Sequence, residues 1–177
     1  NTELALNETA EYLLHLIPEA GYGSIGGEWA VIGLARSDCN VPQSFYDTYY
    51  NNLASYVKAS KGILSKNKYT EYSRVVLALT AIGKSPENVG GYNLLAPLGD
   101  YNAVIRQGIN GPVFALLALD SLSYEMPVCT EAGIQASRNL YIEYILQKQL
   151  ENGGWSLYGD TAEPDVTGMA LMALSKY

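Results

Sequence analysis

Four short apolar stretches recur along this chain: "WAVIGLA" at 29–35, "RVVLALT" at 74–80, "FALLALD" at 114–120 and "MALMALS" at 169–175. Aligned on the small residue before the last Leu, they fall at Gly33, Ala78, Ala118 and Ala173, in steps of 45, 40 and 55 residues. Those steps lie near the roughly 40–47 residues of helix-pair repeats. Each stretch is apolar almost all round, and a helix of that kind is expected to be buried on every side. One partner cannot satisfy such helices; they are expected to pack against one another as an inner layer.

Amphipathic segments lie between them. "ETAEYLLHLI" (8–17) places Tyr12, Leu13, Leu16 and Ile17 on one face. "SFYDTYYNNLASYVKA" (44–59) repeats Phe45, Tyr49, Asn52/Leu53, Tyr56 and Val57, and "TEAGIQASRNLYIEYILQKQL" (130–150) repeats Ile134, Leu140/Tyr141, Tyr144/Ile145 and Gln149. Spacings of three and four residues predict helices. Pro42 and Pro127 stand just ahead of two of these helices, where proline is tolerated. The segment 87–107 gives only two short helical pieces, broken by Gly91, Pro97 and Gly99. No alternating run bounded by hairpin turns predicts a strand. The fold class expected is all-α, with about four helical hairpins in inner and outer layers, as one domain over 1–177.

The alternation has a geometrical consequence. Every link from an outer to an inner helix opens on the same end: 18–28, 61–72, 106–111 and 151–165. These links hold many of the glycines and several carboxylates, whereas the return turns at the other end are plain. A functional face is expected at the glycine-rich end.

Composition excludes some functions. With 48% apolar and 16% charged residues the chain reads as globular. A net charge of −7 without clustered Lys or Arg argues against nucleic-acid binding. No apolar run reaches the roughly 18 residues that span a bilayer. His15 is the lone histidine and Cys39 and Cys129 lie far apart, so no metal site of the zinc type is expected. The two cysteines are read as free thiols or as one disulfide. His15 is expected to be a half-buried packing residue. The start at Asn1, without Met or a signal-like segment, reads as a mature or excised piece of something longer.

Several motifs carry a resemblance. "QKQLENGGW" (147–155) resembles the Gln-and-Trp repeat of terpenoid cyclases, in which a glycine–tryptophan turn follows an outer helix. "DVTGMAL" (165–171) resembles the Asp-Cys-Thr-Ala-Glu-Ala-Leu segment of oxidosqualene cyclases, matching at Asp165, Thr167, Ala170 and Leu171. That likeness implies an α/α toroid, a fold also found in protein prenyltransferases, complement thioester domains and vitamin B12 carriers. In overall feel the chain is most similar to toroid repeats of Gram-positive bacterial surface proteins, through "GGEWAVIGLARS", "KYTEYSRVVLALTAIGK", "GGYNLL" and "QGINGPVFALLAL". The resemblance implies an extracellular or cell-surface location.

The departures are informative. Glu163, Pro164, Asp165 and Val166 stand where a protonating cyclase has Asp-x-Asp-Asp. The zinc ligands of prenyltransferases and the thioester motif are absent. Four hairpins fall short of the five or six of a full toroid. The ring is therefore expected to be open, continued beyond the chain, or closed by self-association.

The candidate catalytic residues are Asp160, Glu163 and Asp165. A carboxyl group that protonates an alkene needs a pKa raised by apolar burial. The favoured alternative is capping, with Thr161 or Asp165 accepting from free backbone N–H groups at a helix start. Glu28 and Glu71 also stand near inner-helix starts and, with Asp165, would ring a toroid mouth. A carboxylate pair there suits glycoside hydrolysis, or only the helix dipole. The candidate ligand-binding residues are Glu28, Trp29, Glu71, Tyr72, Trp155 and Tyr158. Aromatic side chains at a mouth suit a sugar, a peptide or an apolar ligand. The favoured alternative is that Trp155 wedges between hairpins, as the resemblance to the cyclase repeat implies, and that Trp29 packs in the core. The function expected is a non-catalytic binding or interaction module for a small molecule, glycan or protein, with no cofactor of its own. The alternatives are a cyclase or prenyltransferase acting on an isoprenoid, and a carrier of a cobalamin-type cofactor.

Overall fold

The computed structural model describes residues 2–177. Among them are eight α-helices and no strand: α1 (Thr2–Leu16), α2 (Glu28–Ala35), α3 (Gln43–Ala59), α4 (Thr70–Ala81), α5 (Tyr101–Val104), α6 (Asn110–Asp120), α7 (Arg138–Gln147) and α8 (Pro164–Leu174). Short 3-10 turns at Ala96–Gly99 and Ile105–Gln107 flank α5. The all-α expectation holds. The four apolar stretches lie on α2, α4, α6 and α8, in alternation with α1, α3, the short 96–107 elements and α7. No helix among the described residues is long and apolar enough to cross a membrane.

The chain forms two compact units. One takes the chain up to Leu64 together with Arg74–Leu94; the other takes Ser65–Ser73 and Leu95–Tyr177.

In the first unit, α3 buries Phe45, Tyr49, Leu53 and Val57, one residue per turn along a single stripe. Val31 and Leu34 of α2 and Val75, Val76, Ala78 and Leu79 of α4 are buried with them, as are Ala20, Leu64, Val89 and Leu94 from the links. The apolar face read for α1 is not buried. Tyr12 and Leu16 are exposed, and Ala10 alone is buried on that helix. His15, on its last turn, is exposed too, not half-buried.

In the second unit, α6 packs against α7 and α8. It buries Gly111, Pro112, Val113, Ala115, Leu116, Ala118 and Leu119. A Cβ on Gly111 would fall on the Val104 carbonyl oxygen, so glycine is what lets α6 approach the turn before it. Asp120 at the far end of α6 accepts from Arg138 Nε at 3.0 Å and from the Tyr177 hydroxyl at 2.7 Å. Burial, and then that hydrogen bond, push the Tyr177 phenol up to about 12.

Burial on every side is approached by α4 and α6, each of which keeps a half-buried stripe (Leu77 and Thr80; Asn110, Phe114 and Leu117), but not by α2 and α8. Trp29 and Gly33 on α2, and Leu171 and Met172 on α8, are exposed. α6, by contrast, packs against α7 and α8 and against the turn before it.

The helix read over 130–150 is shorter, Arg138–Gln147. Residues before it pair with distant backbone instead: Tyr101 N donates to Ile134 O at 3.1 Å and Ala136 N to Gly99 O at 2.8 Å. Ser137 Oγ then accepts from Leu140 N and caps the helix. Both cysteines are free thiols.

Candidate functional site

The opening link of the second unit is a tight turn. Ser65 Oγ accepts from Asn67 N at 3.2 Å and from Lys68 N at 2.9 Å. Thr70 then starts α4 against Gln107. Thr70 N donates to Gln107 Oε1 at 3.0 Å and Gln107 Nε2 donates to Thr70 Oγ1 at 3.1 Å. This reciprocal pair fastens the 65–73 link to the 105–110 turn. Gly108 has φ 60° and ψ −142°, a conformation that L side chains rarely adopt, and it turns the chain into α6.

The third wall comes from the turn after α7. Trp155 is 2% exposed, and its Nε1 donates to Ile145 O at 2.7 Å. Its backbone is held on α8: Trp155 N donates to Thr167 Oγ1 at 2.9 Å, and Thr167 Oγ1 donates back to Trp155 O. Glu163 N also donates to Trp155 O, at 2.8 Å. The Glu163 carboxylate accepts from Leu157 N at 2.6 Å. Ser156 Oγ donates to Gly159 O. These bonds fix a short loop whose tip carries Leu157 and Tyr158, and Tyr158 is 91% exposed.

The three links meet around a cavity of about 420 Å³ lined by Asn67, Lys68, Arg106, Gln107, Gly108, Asn110, Leu157 and Tyr158. None of these residues is acidic. Neither Lys68 nor Arg106 meets a carboxylate within ion-pair distance among the described residues. Arg106 Nη1 donates to Lys66 O at 3.4 Å, a long, weak bond to a neutral carbonyl that leaves the guanidinium charge uncompensated. Asn110 Oδ1 is buried without a hydrogen-bond partner. The site suits a ligand that brings negative charge, hydroxyl groups and one flat apolar face.

The residues singled out from sequence are scattered by comparison. Tyr158 lines the cavity. Trp155 is buried and does not line the cavity, and Trp29 is 46% exposed instead of packed in the core. Tyr72 is buried and lies 5.2 Å from the ring of Tyr69. Glu71 is half-buried on the first turn of α4. Asp160 and Asp165 are exposed. Neither Thr161 nor Asp165 caps α8: the N-cap is Glu163, and its side chain turns back to Leu157 N. An exposed Asp165 that bonds no other group should be replaceable. Asp165→Asn is expected to change stability by less than about 0.5 kcal/mol, read from the urea unfolding midpoint. A larger loss would give Asp165 a role that the structure does not.

Glu28 is placed differently from expectation. It is fully buried in the first unit, so it is not presented at any mouth. Arg74 Nε donates to Glu28 Oε2 at 2.9 Å, the Tyr49 hydroxyl donates to Oε1 at 3.1 Å, and Gly23 N lies 3.0–3.2 Å from both oxygens. Burial raises the Glu28 pKa above its ordinary value, and Arg74 and Gly23 pull it part of the way back. Burial, the charge on Glu28 and its hydrogen bond raise the Tyr49 phenol strongly. The cluster ties the glycine-rich 18–28 link to α3 and α4. All its acceptors are used.

Sequence reasoning missed Lys68, Arg106, Gln107 and Asn110. The available signal was positional: all four lie in, or at the edge of, links that open on the same end. Among the described residues no group of three His, Cys, Asp or Glu side chains is placed to hold a metal ion. The features define an all-α protein of alternating apolar and amphipathic helices with a basic, acid-free cavity among its links. No protein-family model, curated protein or solved structure matches the chain.

Proposed function

We propose that this protein is a non-catalytic ligand-binding module built from helical hairpins of the α/α toroid type, acting at the surface of a bacterial cell or outside it. The observation that carries the reading is the convergence of three outer-to-inner links on one polar cavity with two cations that lack carboxylate partners. Links of this kind place recognition residues on a rigid helical scaffold. The toroid affinity is supported by the alternation of apolar and amphipathic helices and by the glycine–tryptophan turn at 153–155.

A catalytic role has less support. Protonating an alkene calls for an acid in apolar surroundings. Asp160 and Asp165 are exposed, and Glu28, the buried carboxylate among the described residues, already accepts from Arg74, Tyr49 and Gly23.

A fragment screen followed by amide chemical-shift mapping tests the proposal. Polar and anionic fragments are expected to shift Lys68, Arg106, Gly108, Asn110 and Tyr158 together. Shifts confined to the first unit, or none from any fragment, would remove the cavity as the binding site.

A further inference from the structure

We infer that the cavity recognises an anionic saccharide, with the acidic group held by Lys68 and Arg106 and a sugar ring laid on Tyr158. This rests on the ligand-binding reading above and gives it a chemical class. The chain has 18 acidic residues against 11 Lys and Arg, yet this cavity has two cations and no acid. A guanidinium fork from one wall and an ammonium from another match an acidic group.

The remaining walls select what carries that group. Tyr158 offers an exposed ring, a platform for the C–H face of a sugar. Leu157 beside it is partly exposed and widens the apolar rim. Asn67 and Asn110 supply amides, the usual partners of hydroxyls. Gln107 is committed to Thr70, whereas Asn110 Oδ1 has no donor. A sugar hydroxyl both donates and accepts, so it serves an amide oxygen or an amide N–H alike.

The walls are fixed in advance by the Ser65, Gln107–Thr70 and Glu163–Leu157 hydrogen bonds, which lowers the ordering loss on binding. A volume of about 420 Å³ suits a small ligand or the end of a longer glycan. A carboxylate and a phosphate share the chemistry named here, and the test separates them.

The test is calorimetric titration of the whole chain with trigalacturonate, neutral trigalactose, a sugar phosphate and a short polyglutamate peptide. Trigalacturonate or the sugar phosphate is expected to bind about tenfold or more tightly than trigalactose. Whichever of the two does so identifies the acidic group. The exposed pair Lys68→Gln and Arg106→Gln should abolish that preference, and Tyr158→Ala should weaken every sugar by about tenfold. Lys58→Gln, in the other unit, is the control and should bind as wild type.

Equal affinity for charged and neutral sugars overturns the inference, as does a preference for polyglutamate. In both cases the binding-module reading survives if the cavity amides shift. A titration in which no probe binds, and no fragment shifts those amides, overturns both.

Discussion

Glu28→Ala is expected to lower the unfolding free energy by about 3–5 kcal/mol, the loss typical of breaking a buried ion pair from one side. The carboxylate is fully buried and accepts from Arg74, Tyr49 and two-pronged from Gly23. Alanine leaves those donors without their acceptor and opens a cavity. Urea unfolding by circular dichroism reads the loss. Glu28→Gln should lose less, because its amide oxygen still accepts from Tyr49 or Arg74 and no cavity opens, although Arg74 loses the Glu28 charge. The sign of the pKa shift agrees. Burial raises Glu28 above 4.5, so the folded state holds its proton more tightly than the unfolded chain. The stability from that proton is fully present below 4.5 and is lost as pH rises through the folded value. Wild type should therefore gain stability over Glu28→Gln as pH falls through that window. A Gln variant as unstable as the Ala variant would show that charge, not acceptance, holds the 18–28 link.

Trp155→Ala should cost about 3–5 kcal/mol as well, the range for emptying a buried aromatic site. The indole is 2% exposed and anchored to Ile145 O at 2.7 Å. Its backbone joins Thr167 and Glu163, which position the Leu157–Tyr158 loop. Amide hydrogen exchange is the direct readout. Leu157 and Glu163, which donate within this network, should lose protection together. Trp155→Phe keeps most of the ring and loses the indole N–H, so it should cost about 1 kcal/mol beyond the change in packing. A Trp155→Ala variant with wild-type stability would contradict the anchoring role.

The helices were legible because their signals are local. Phe45, Tyr49, Leu53 and Val57 announce one stripe, and "FALLALD" announces a helix buried over most of its surface. The start of α7 was not legible. Residues 130–137 have helical spacing, but they bond to Gly99 and Tyr101, partners that no local pattern reveals. The exposed flanks of α2 and α8 were missed for a related reason: the sequence shows that a helix is apolar, not which of its sides is covered.

The site divided along the same line. The glycine–tryptophan turn and Tyr158 stood out as motifs. Lys68 and Arg106 did not, since each is a single cation in its own link and resembles ordinary solvated surface. Folding brings them to one cavity, and the absence of acids from its lining becomes visible only there. Glu163 changed its role most: a candidate acid became the fastener of the loop that carries Tyr158.

The most direct measurement is a crystal structure of the chain with the tightest binder from the titrations or the fragment screen. The account predicts the ligand in the cavity, its polar group within hydrogen-bond distance of Arg106 or Lys68 and its flat face on Tyr158. A ligand seated elsewhere, with the cavity holding only water, would contradict it.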